Sequence, residues 1–256
     1  MRLRPYVTLA LASALAACSP LHRVGMSQPM APEALPLPDP PTAADEGSST
    51  AERGVEEFDL ACFQHPSIDA WEQRLRSERP LRRETADSVT RGARYLGRLQ
   101  KIVTDAGLPP NLALLPVIES SFQPHARGVA NCIGLWQLGP DTARRFGLRV
   151  NEQRDDRLDP VLATQAAARY LRMLHDRYND WPLALAAYNA GEGRIDRALV
   201  HRPGASLWDL ADGHQVPRMS FDYVSHFFAV VRIVDDAPRV CQAPAVTVAS
   251  IRGHGR

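Results

Sequence analysis

The chain has 256 residues, of which 45% are hydrophobic and 23% charged. This length suits one sizeable domain with attachments and leaves little room for two separate cores. Thirty basic residues balance 29 acidic residues almost evenly, so nothing in the charge favours a nucleic-acid partner.

The amino terminus has the composition of a secretory signal. Two arginines precede an apolar run that ends in Leu-Ala-Ala-Cys, and the run is too short to span a bilayer permanently. The ending resembles the lipoprotein box of bacteria, in which the cysteine is acylated and becomes the first residue of the mature chain. Residues 1–17 are therefore predicted to be a signal peptide, and Cys18 is predicted to carry a lipid that anchors the chain in the cell envelope. Ser19 is compatible with export to the outer membrane, where the chain would face the periplasm. The alternative is a plain signal peptide with an incidental cysteine.

The next segment, residues 18–60, is rich in Pro, Ala and Ser and shows no sustained apolar period. Such a composition cannot bury enough surface to offset its ordering entropy, so it predicts a semi-extended tether. Residues 61–240 are predicted to form the domain, and residues 241–256 a tail.

The domain has a helical pattern. Apolar residues of the segment 85–107 recur at spacings of three and four before Gly107: Val89, Ala93, Leu96, Leu99 and Val103. Another helix is predicted with Asp159 as its cap and Pro160 in its first turn, carrying the stripe Leu162, Ala166, Tyr170, Met173 and Leu174. Segments beginning at Trp181 and Phe221 are also helical in pattern. An alternating, strand-like run appears only at 243–250, so the fold class is predicted to be mainly α.

The stretch LLPVIESSFQP, residues 114–124, ends an apolar run on Glu119. Pro109 and Pro110 suit a helix start, after which four apolar residues fall on one face: Leu112, Leu115, Ile118 and Phe122. Pro116 cannot donate a backbone hydrogen bond, so an irregularity is expected just before Glu119. Spacing alone leaves two readings of Glu119: a solvated residue at a helix end, or a carboxyl group against an apolar wall.

Three further motifs follow: GLWQL at 134–138, AAYNAGEGRI at 186–195 and VPRMSFDYV at 216–224. Together with the glutamate stretch they resemble the soluble lytic transglycosylase-like (SLT) family, in particular its membrane-bound lipoproteins of the D type, from about Trp71 to Asp236. The resemblance implies a lysozyme-like fold with a groove for the glycan strands of peptidoglycan. It implies a lyase and no metal ion or cofactor.

The resemblance makes Glu119 the catalytic residue. It would protonate the glycosidic oxygen between N-acetylmuramic acid and N-acetylglucosamine, and then take the proton of the C6 hydroxyl as a 1,6-anhydro ring closes. A raised pKa is required, and burial is its natural cause. Four other carboxylates have structural uses and are given no catalytic role: Asp141, Asp155, Asp156 and Glu192.

The same resemblance predicts substrate contacts at Gln137, Tyr188, Asn189 and Tyr223, whereas Trp136 is expected in the core. Two departures, Gly139 and Gly128, remove side chains that relatives carry near the substrate. They keep an alternative open: an inactive or weakly active peptidoglycan-binding lipoprotein. Hydrolysis by the same glutamate is a nearby variant.

Three cysteines remain if Cys18 is acylated. Cys132 directly precedes the GLWQL motif and is expected to be a buried thiol used as a small apolar group. Cys62 and Cys241 flank the helical domain, and because domain termini often lie close together, a bridge between these two is predicted.

Overall fold

The computed structural model describes residues 59–234, a part of the chain built from nine α-helices, four 3-10 turns and isolated β-bridges, without strands. The prediction of a mainly α fold is confirmed. The helices are α1 (Pro66–Ser77), α2 (Arg79–Asp105), α3 (Pro116–Ser120), α4 (Pro140–Arg145), α5 (Pro160–Tyr178), α6 (Trp181–Ala190), α7 (Glu192–His201), α8 (Leu207–Asp212) and α9 (Arg218–Val234).

The helix starts follow local chemistry. Proline stands in the first turn of the six helices from α1 to α6, where its missing N–H would have had no intrahelical acceptor. Asp159 and Asp180 accept hydrogen bonds from the first N–H groups of α5 and α6, so the predicted cap at Asp159 is confirmed. Ser206 and Asp209 form a capping box on α8.

Helix α6 lies at the centre of the domain. All ten of its residues are buried, and it packs against α5, α7 and α9. Four alanines on this helix let its neighbours approach closely. Around it, α1 packs against α9, and the 27-residue α2 contacts both α1 and α5. Within residues 59–234, no helix combines the length and the apolar character that a membrane span needs.

The buried face of α2 differs from the predicted stripe in its first half. Ala93, expected on that face, is exposed, and small residues are buried there instead: Thr85, Ser88 and Gly92. Leu99 and Val103 are buried as predicted. These small side chains leave room for the segment that carries Glu119. A search for a periodic pattern of large apolar residues does not detect such small buried residues.

The cysteine prediction is wrong at one position. Cys132 is buried, with 2% of its surface exposed, but it is disulfide-bonded, as is Cys62. The oxidising compartment expected for an exported chain favours the bonded form over a free thiol. Cys241 lies outside the described residues, so the bridge between Cys62 and Cys241 stays a prediction. The same holds for the signal peptide, Cys18, the tether, the strand-like run at 243–250 and the tail.

Candidate active site

Glu119 lies near the end of α3, a helix of only five residues. A 3-10 turn, Pro110–Leu114, precedes it, and Pro116 occupies the first turn of α3. The apolar run is thus split into two short helical pieces, which confirms the predicted irregularity before the glutamate. The break lets the chain change direction within a few residues of the acid.

The turn that follows Glu119 has unusual backbone geometry. Ser121 and Phe122 have φ angles of 50° and 55°, in a region that costs energy for residues other than glycine. The Phe122 N–H donates to the carbonyl of Pro116 at 3.0 Å, and Arg91 Nε donates to the carbonyl of Ser121 at 2.9 Å. The Phe122 ring is buried over Gly92, where an added Cβ would lie 2.6 Å from ring carbons. Helix α2 therefore holds the turn in place.

The Glu119 carboxyl group is buried, with 3% of the residue exposed. Its Oε1 accepts a hydrogen bond of 2.5 Å from the hydroxyl of Tyr223 on α9. Its Oε2 is buried and has no hydrogen-bond partner in the described part of the chain. Because such an atom usually has a partner, Oε2 is the group through which the site can act on a ligand.

Burial raises the pKa of Glu119 from 4.5 to about 8, and the hydrogen bond from Tyr223 opposes this rise. The sequence-based expectation of a raised pKa caused by desolvation is confirmed. The carboxyl group is consequently protonated near neutral pH. Since Oε1 accepts from Tyr223, the proton resides on Oε2, where a general acid would carry it.

Glu119 lines a pocket of about 200 Å³ between α2, α3, α9 and the loop after α3. Its lining residues are Leu81, Glu84, Thr85, Val117, Ile118, Glu119, Ser120, Ser121, Gln123, Ala126, Arg127, Gly128, Gln137 and His226. Depressions of about 500 and 440 Å³ on the outer faces of α1 and α2 are shallower and lined mostly by exposed side chains. The pocket at Glu119 is therefore the candidate active site.

The side chain of Arg157 holds the GLWQL loop in place. This arginine is 2% exposed; it forms two hydrogen bonds to the Asp155 carboxylate and donates to the carbonyls of Asn131 at 2.7 Å and Leu138 at 3.0 Å. Gly134 has a φ of 85°, and an added Cβ would lie 2.0 Å from the Arg157 carbonyl oxygen. Only glycine fits there, so Gly134 lets the loop pack directly against the Arg157 backbone.

Helices α3, α5 and α6 also anchor this loop. The Ser120 hydroxyl, next to the acid, donates to the Leu135 carbonyl at 2.8 Å. Trp136 is fully buried and its indole N–H donates to Thr164, which confirms the expectation that Trp136 belongs to the core. The Tyr188 hydroxyl donates to the Trp136 carbonyl at 2.8 Å.

Gln137 lies at the pocket wall with 3% of its surface exposed. Its Nε2 donates to the carbonyls of Gly134 at 2.8 Å and Ala126 at 3.3 Å, so its amide hydrogens hold the loop. Its Oε1 lies over Gly128, where an added Cβ would be only 2.3 Å away. The departure at Gly128 thus makes room for the Gln137 side chain.

Tyr188 and Asn189 lie on the buried helix α6. They are 0% and 5% exposed, and neither is among the residues that line the pocket. Burial and the nearby Glu119 carboxyl group raise the pKa of Tyr188 well above its ordinary value. The structure therefore brings Tyr188 close to Glu119, and the substrate contacts predicted for both residues stay predictions.

The four other carboxylates considered in the sequence all bind arginines. The pairs are Asp141 with Arg144, Asp155 with Arg157, Asp156 with Arg154, and Glu192 with Arg145. Among residues 59–234, no group of three or more His, Cys, Asp or Glu side chains could hold a metal ion. Sequence reasoning missed the three other ionisable residues among those that line the pocket, namely Glu84, Arg127 and His226. The position of His226, three residues after Tyr223 on one helix, was the available signal for that residue.

Residues 103–209 match the family model described as Transglycosylase SLT domain. This part of the chain is similar to SLT transglycosylase domains. The matched range includes Glu119, Gln137 and Tyr188. Tyr223 lies beyond it, so α9 contributes to the site from outside the matched range.

Curated proteins are similar to this chain as well. Membrane-bound lytic murein transglycosylase D of Escherichia coli K12 is 34% identical over 158 residues, which are 60% of this chain and 34% of that protein. A putative tributyltin chloride resistance protein of Alteromonas sp. is 41% identical over 106 residues, 41% of this chain and 51% of that protein. The chain is homologous to both and spans about a third to a half of their length.

A solved structure, that of an inactive mutant of lytic transglycosylase Slt from Pseudomonas aeruginosa, also matches. The two chains are 25% identical with a TM-score of 0.47, over 56% of this chain and 24% of that one.

Proposed function

We propose that the SLT domain is a lytic transglycosylase that cleaves the β-1,4 bond between N-acetylmuramic acid and N-acetylglucosamine in peptidoglycan. The observation that carries the proposal is Glu119: a buried carboxyl group with a pKa of about 8, one oxygen bonded to Tyr223 and the other unpartnered, at the wall of a pocket. The murein activity in the name of the Escherichia coli relative supports the choice of substrate.

The first step uses Glu119 as an acid. Oε2 gives its proton to the glycosidic oxygen as the bond from that oxygen to C1 breaks, and C1 takes on oxocarbenium character. The ionised carboxylate left behind is buried, and the Tyr223 hydroxyl stabilises it by donating to Oε1. Hydrogen bonds to an ionised group are stronger than those between neutral groups, so this contact strengthens as the charge develops.

The second step uses the same carboxylate as a base. The C6 hydroxyl of the muramic acid attacks C1, its proton passes to Glu119, and a 1,6-anhydro ring closes. No water is consumed, and the acid is regenerated. One carboxyl group suffices, in agreement with the four other carboxylates being bound to arginines.

Digestion of purified sacculi by the mature chain, followed by mass spectrometry of the released muropeptides, tests this function. Wild type is expected to release anhydro-ended products, and Glu119→Gln to lower their release by at least a hundredfold with unchanged circular dichroism. Reducing ends would indicate a hydrolase. The absence of release by wild type would indicate a binding protein.

We propose that the remaining groove contacts involve Gln137, Tyr188 and Asn189. For Gln137 the free group is the acceptor Oε1, since its amide nitrogen donates to two carbonyls. An acceptor at this position suits the N–H of an acetamido group. Replacement of Gln137 by Glu keeps the acceptor and removes the two loop bonds, so it is expected to lower stability more than substrate affinity, as thermal melts and binding titrations would show.

We also propose that the mature chain is anchored in the outer membrane through acylated Cys18, facing the periplasm. The support is the signal-like composition of residues 1–17 and the ending Leu-Ala-Ala-Cys, and relatives whose names call them membrane-bound. Cys18→Ser is expected to move the protein from the membrane fraction to the soluble fraction and to abolish labelling by radioactive palmitate. Retention in the membrane fraction would remove the anchor from Cys18.

A further inference from the structure

His226 is a second pocket residue with an unsatisfied polar atom. Its Nε2 is buried and has no hydrogen-bond partner among the described residues, and the residue lines the pocket that contains Glu119. Buried ring nitrogens in structural histidines are normally hydrogen-bonded. Two unpartnered polar atoms on one pocket, Glu119 Oε2 and His226 Nε2, indicate that the missing partners come from a ligand.

The position of His226 on α9 relates it to the acid. It lies three residues after Tyr223, whose hydroxyl bonds to Glu119, and residues at this spacing share one face of a helix. Three residues advance about 4.5 Å along a helix axis, close to the length of one pyranose ring. His226 thus lies within one helical turn of the residue that bonds to the acid, on the same face of α9.

The imidazole ring is held in a fixed plane. It stacks on Trp71, with ring centroids 4.4 Å apart and planes inclined by 16°. The Arg74 guanidinium lies over Trp71 as well, 4.3 Å from its centroid. A ring packed in this way presents Nε2 in one direction without further loss of side-chain freedom when a ligand binds.

The charge state of the imidazole ring limits which chemical groups of a ligand it can bind. Burial, with a smaller contribution from the positive charge of Arg74, lowers the pKa of His226 to about 4, so the ring is neutral at physiological pH. A neutral imidazole offers a hydrogen bond and no net attraction to a carboxylate. The carboxylates of the stem peptides of peptidoglycan are therefore poorer partners than its uncharged groups.

We propose that His226 contacts the substrate directly, with Nε2 hydrogen-bonded to an uncharged hydroxyl or acetamido group of the N-acetylated glycan. The inference rests on the proposed function, whose site it extends by one residue. Its structural alternative is a histidine that serves only as a packing partner for Trp71.

The test uses chitohexaose, an uncharged N-acetylated glycan, and the Glu119→Gln chain, which cannot turn the substrate over. Calorimetric titration is expected to show binding about 3- to 10-fold weaker after His226→Phe, the loss of one hydrogen bond. His226→Gln, which places an amide near the position of Nε2, is expected to bind within about twofold of the parent. His175→Phe is the control, because His175 stacks on Trp181 at 4.2 Å and does not line the pocket.

Stability and spectroscopy separate the two roles of His226. His226→Phe is expected to melt at the same temperature as the parent or higher, because it removes an unsatisfied buried nitrogen. In the parent, saturation with chitohexaose is expected to shift the 15N resonance of His226 Nε2 and to leave that of His175 unchanged.

Three results would overturn the proposal. Parental affinity of His226→Phe would do so, as would an unshifted His226 resonance at saturation. Absence of binding by the parent would remove the glycan as ligand and the inference with it. The sacculus assay measures cleavage by Glu119 and does not depend on this binding test. A failure of the proposed function can therefore be distinguished from a failure of the His226 contact.

Discussion

Replacement of Glu119 by Gln is expected to make the protein more stable, increasingly so as the pH rises. The folded state raises the pKa of this carboxyl group from 4.5 to about 8, so between these values the folded protein binds a proton that the unfolded chain releases. A raised carboxyl pKa contributes stability that is fully present below the unfolded value and is lost as the pH rises through the folded one. Glutamine does not titrate, so the Glu119→Gln protein loses no stability from this source as the pH rises.

The size of the effect follows from the two pKa values. Each unit of difference corresponds to about 1.4 kcal/mol, and between pH 5 and pH 9 the wild type is expected to lose on the order of 4 kcal/mol relative to Glu119→Gln. Titration of histidines such as His65 and His175 occurs in both proteins and cancels in the comparison.

Urea unfolding of both proteins at pH 5 and pH 9 measures this difference. The quantity of interest is the change in the stability gap between the two proteins across the pH range, with equal slopes against urea as the control for unchanged compactness. A change below about 1 kcal/mol would show that Glu119 titrates almost normally. The argument that burial makes it an acid at neutral pH would then be wrong.

Three other experiments, with four substitutions, test the surroundings of the acid. Tyr223→Phe removes the hydrogen bond that lowers the acid's pKa, so the alkaline limb of kcat/KM is expected to move to higher pH while kcat falls about 10-fold; an unmoved limb would contradict the assigned contact. Gly92→Ala is expected to lower the free energy of unfolding by about 1–3 kcal/mol, because its Cβ would meet the Phe122 ring, whereas Gly97→Ala, with nothing within 4 Å, should raise it by up to about 1 kcal/mol. Equal urea midpoints for the two alanine variants would refute the packing argument. Tyr188→Phe is expected to lower the free energy of unfolding by about 1–2 kcal/mol because it leaves the Trp136 carbonyl without its donor, and an unchanged midpoint would show that the bond contributes little.

Local sequence signals predicted much of the fold. The cap at Asp159, the prolines in first turns and the break at Pro116 each depend on neighbours a few residues away, and the structure has all three. The same kind of signal failed in the first half of α2, where Gly92 rather than Ala93 faces the core. A glycine buried beneath an aromatic ring has no apolar side chain for a pattern to register.

The site itself depends on contacts that are distant in sequence. The apolar run before Glu119 predicted a water-excluding environment for its carboxyl group. The hydroxyl that bonds to the acid, however, belongs to a residue 104 positions away in the sequence. Tyr223 was found through its resemblance to a family position, and His226 was not found at all. The sequence analysis also missed that Cys132 forms a disulfide bond. The partner of a cysteine depends on tertiary geometry, which local sequence does not reveal.

The hydrogen bond between Glu119 and Tyr223 has a consequence for how the protein can be divided. A fragment cut to the matched range, residues 103–209, would keep the acid but lose α9 and nearly all of α2, and with them two walls of the pocket. Water would then reach the carboxyl group, its pKa would fall toward that of a surface glutamate, and it would arrive at the substrate already ionised. The matched stretch is thus smaller than the unit that keeps the carboxyl group protonated, and a minimal catalytic fragment has to run from α2 through α9.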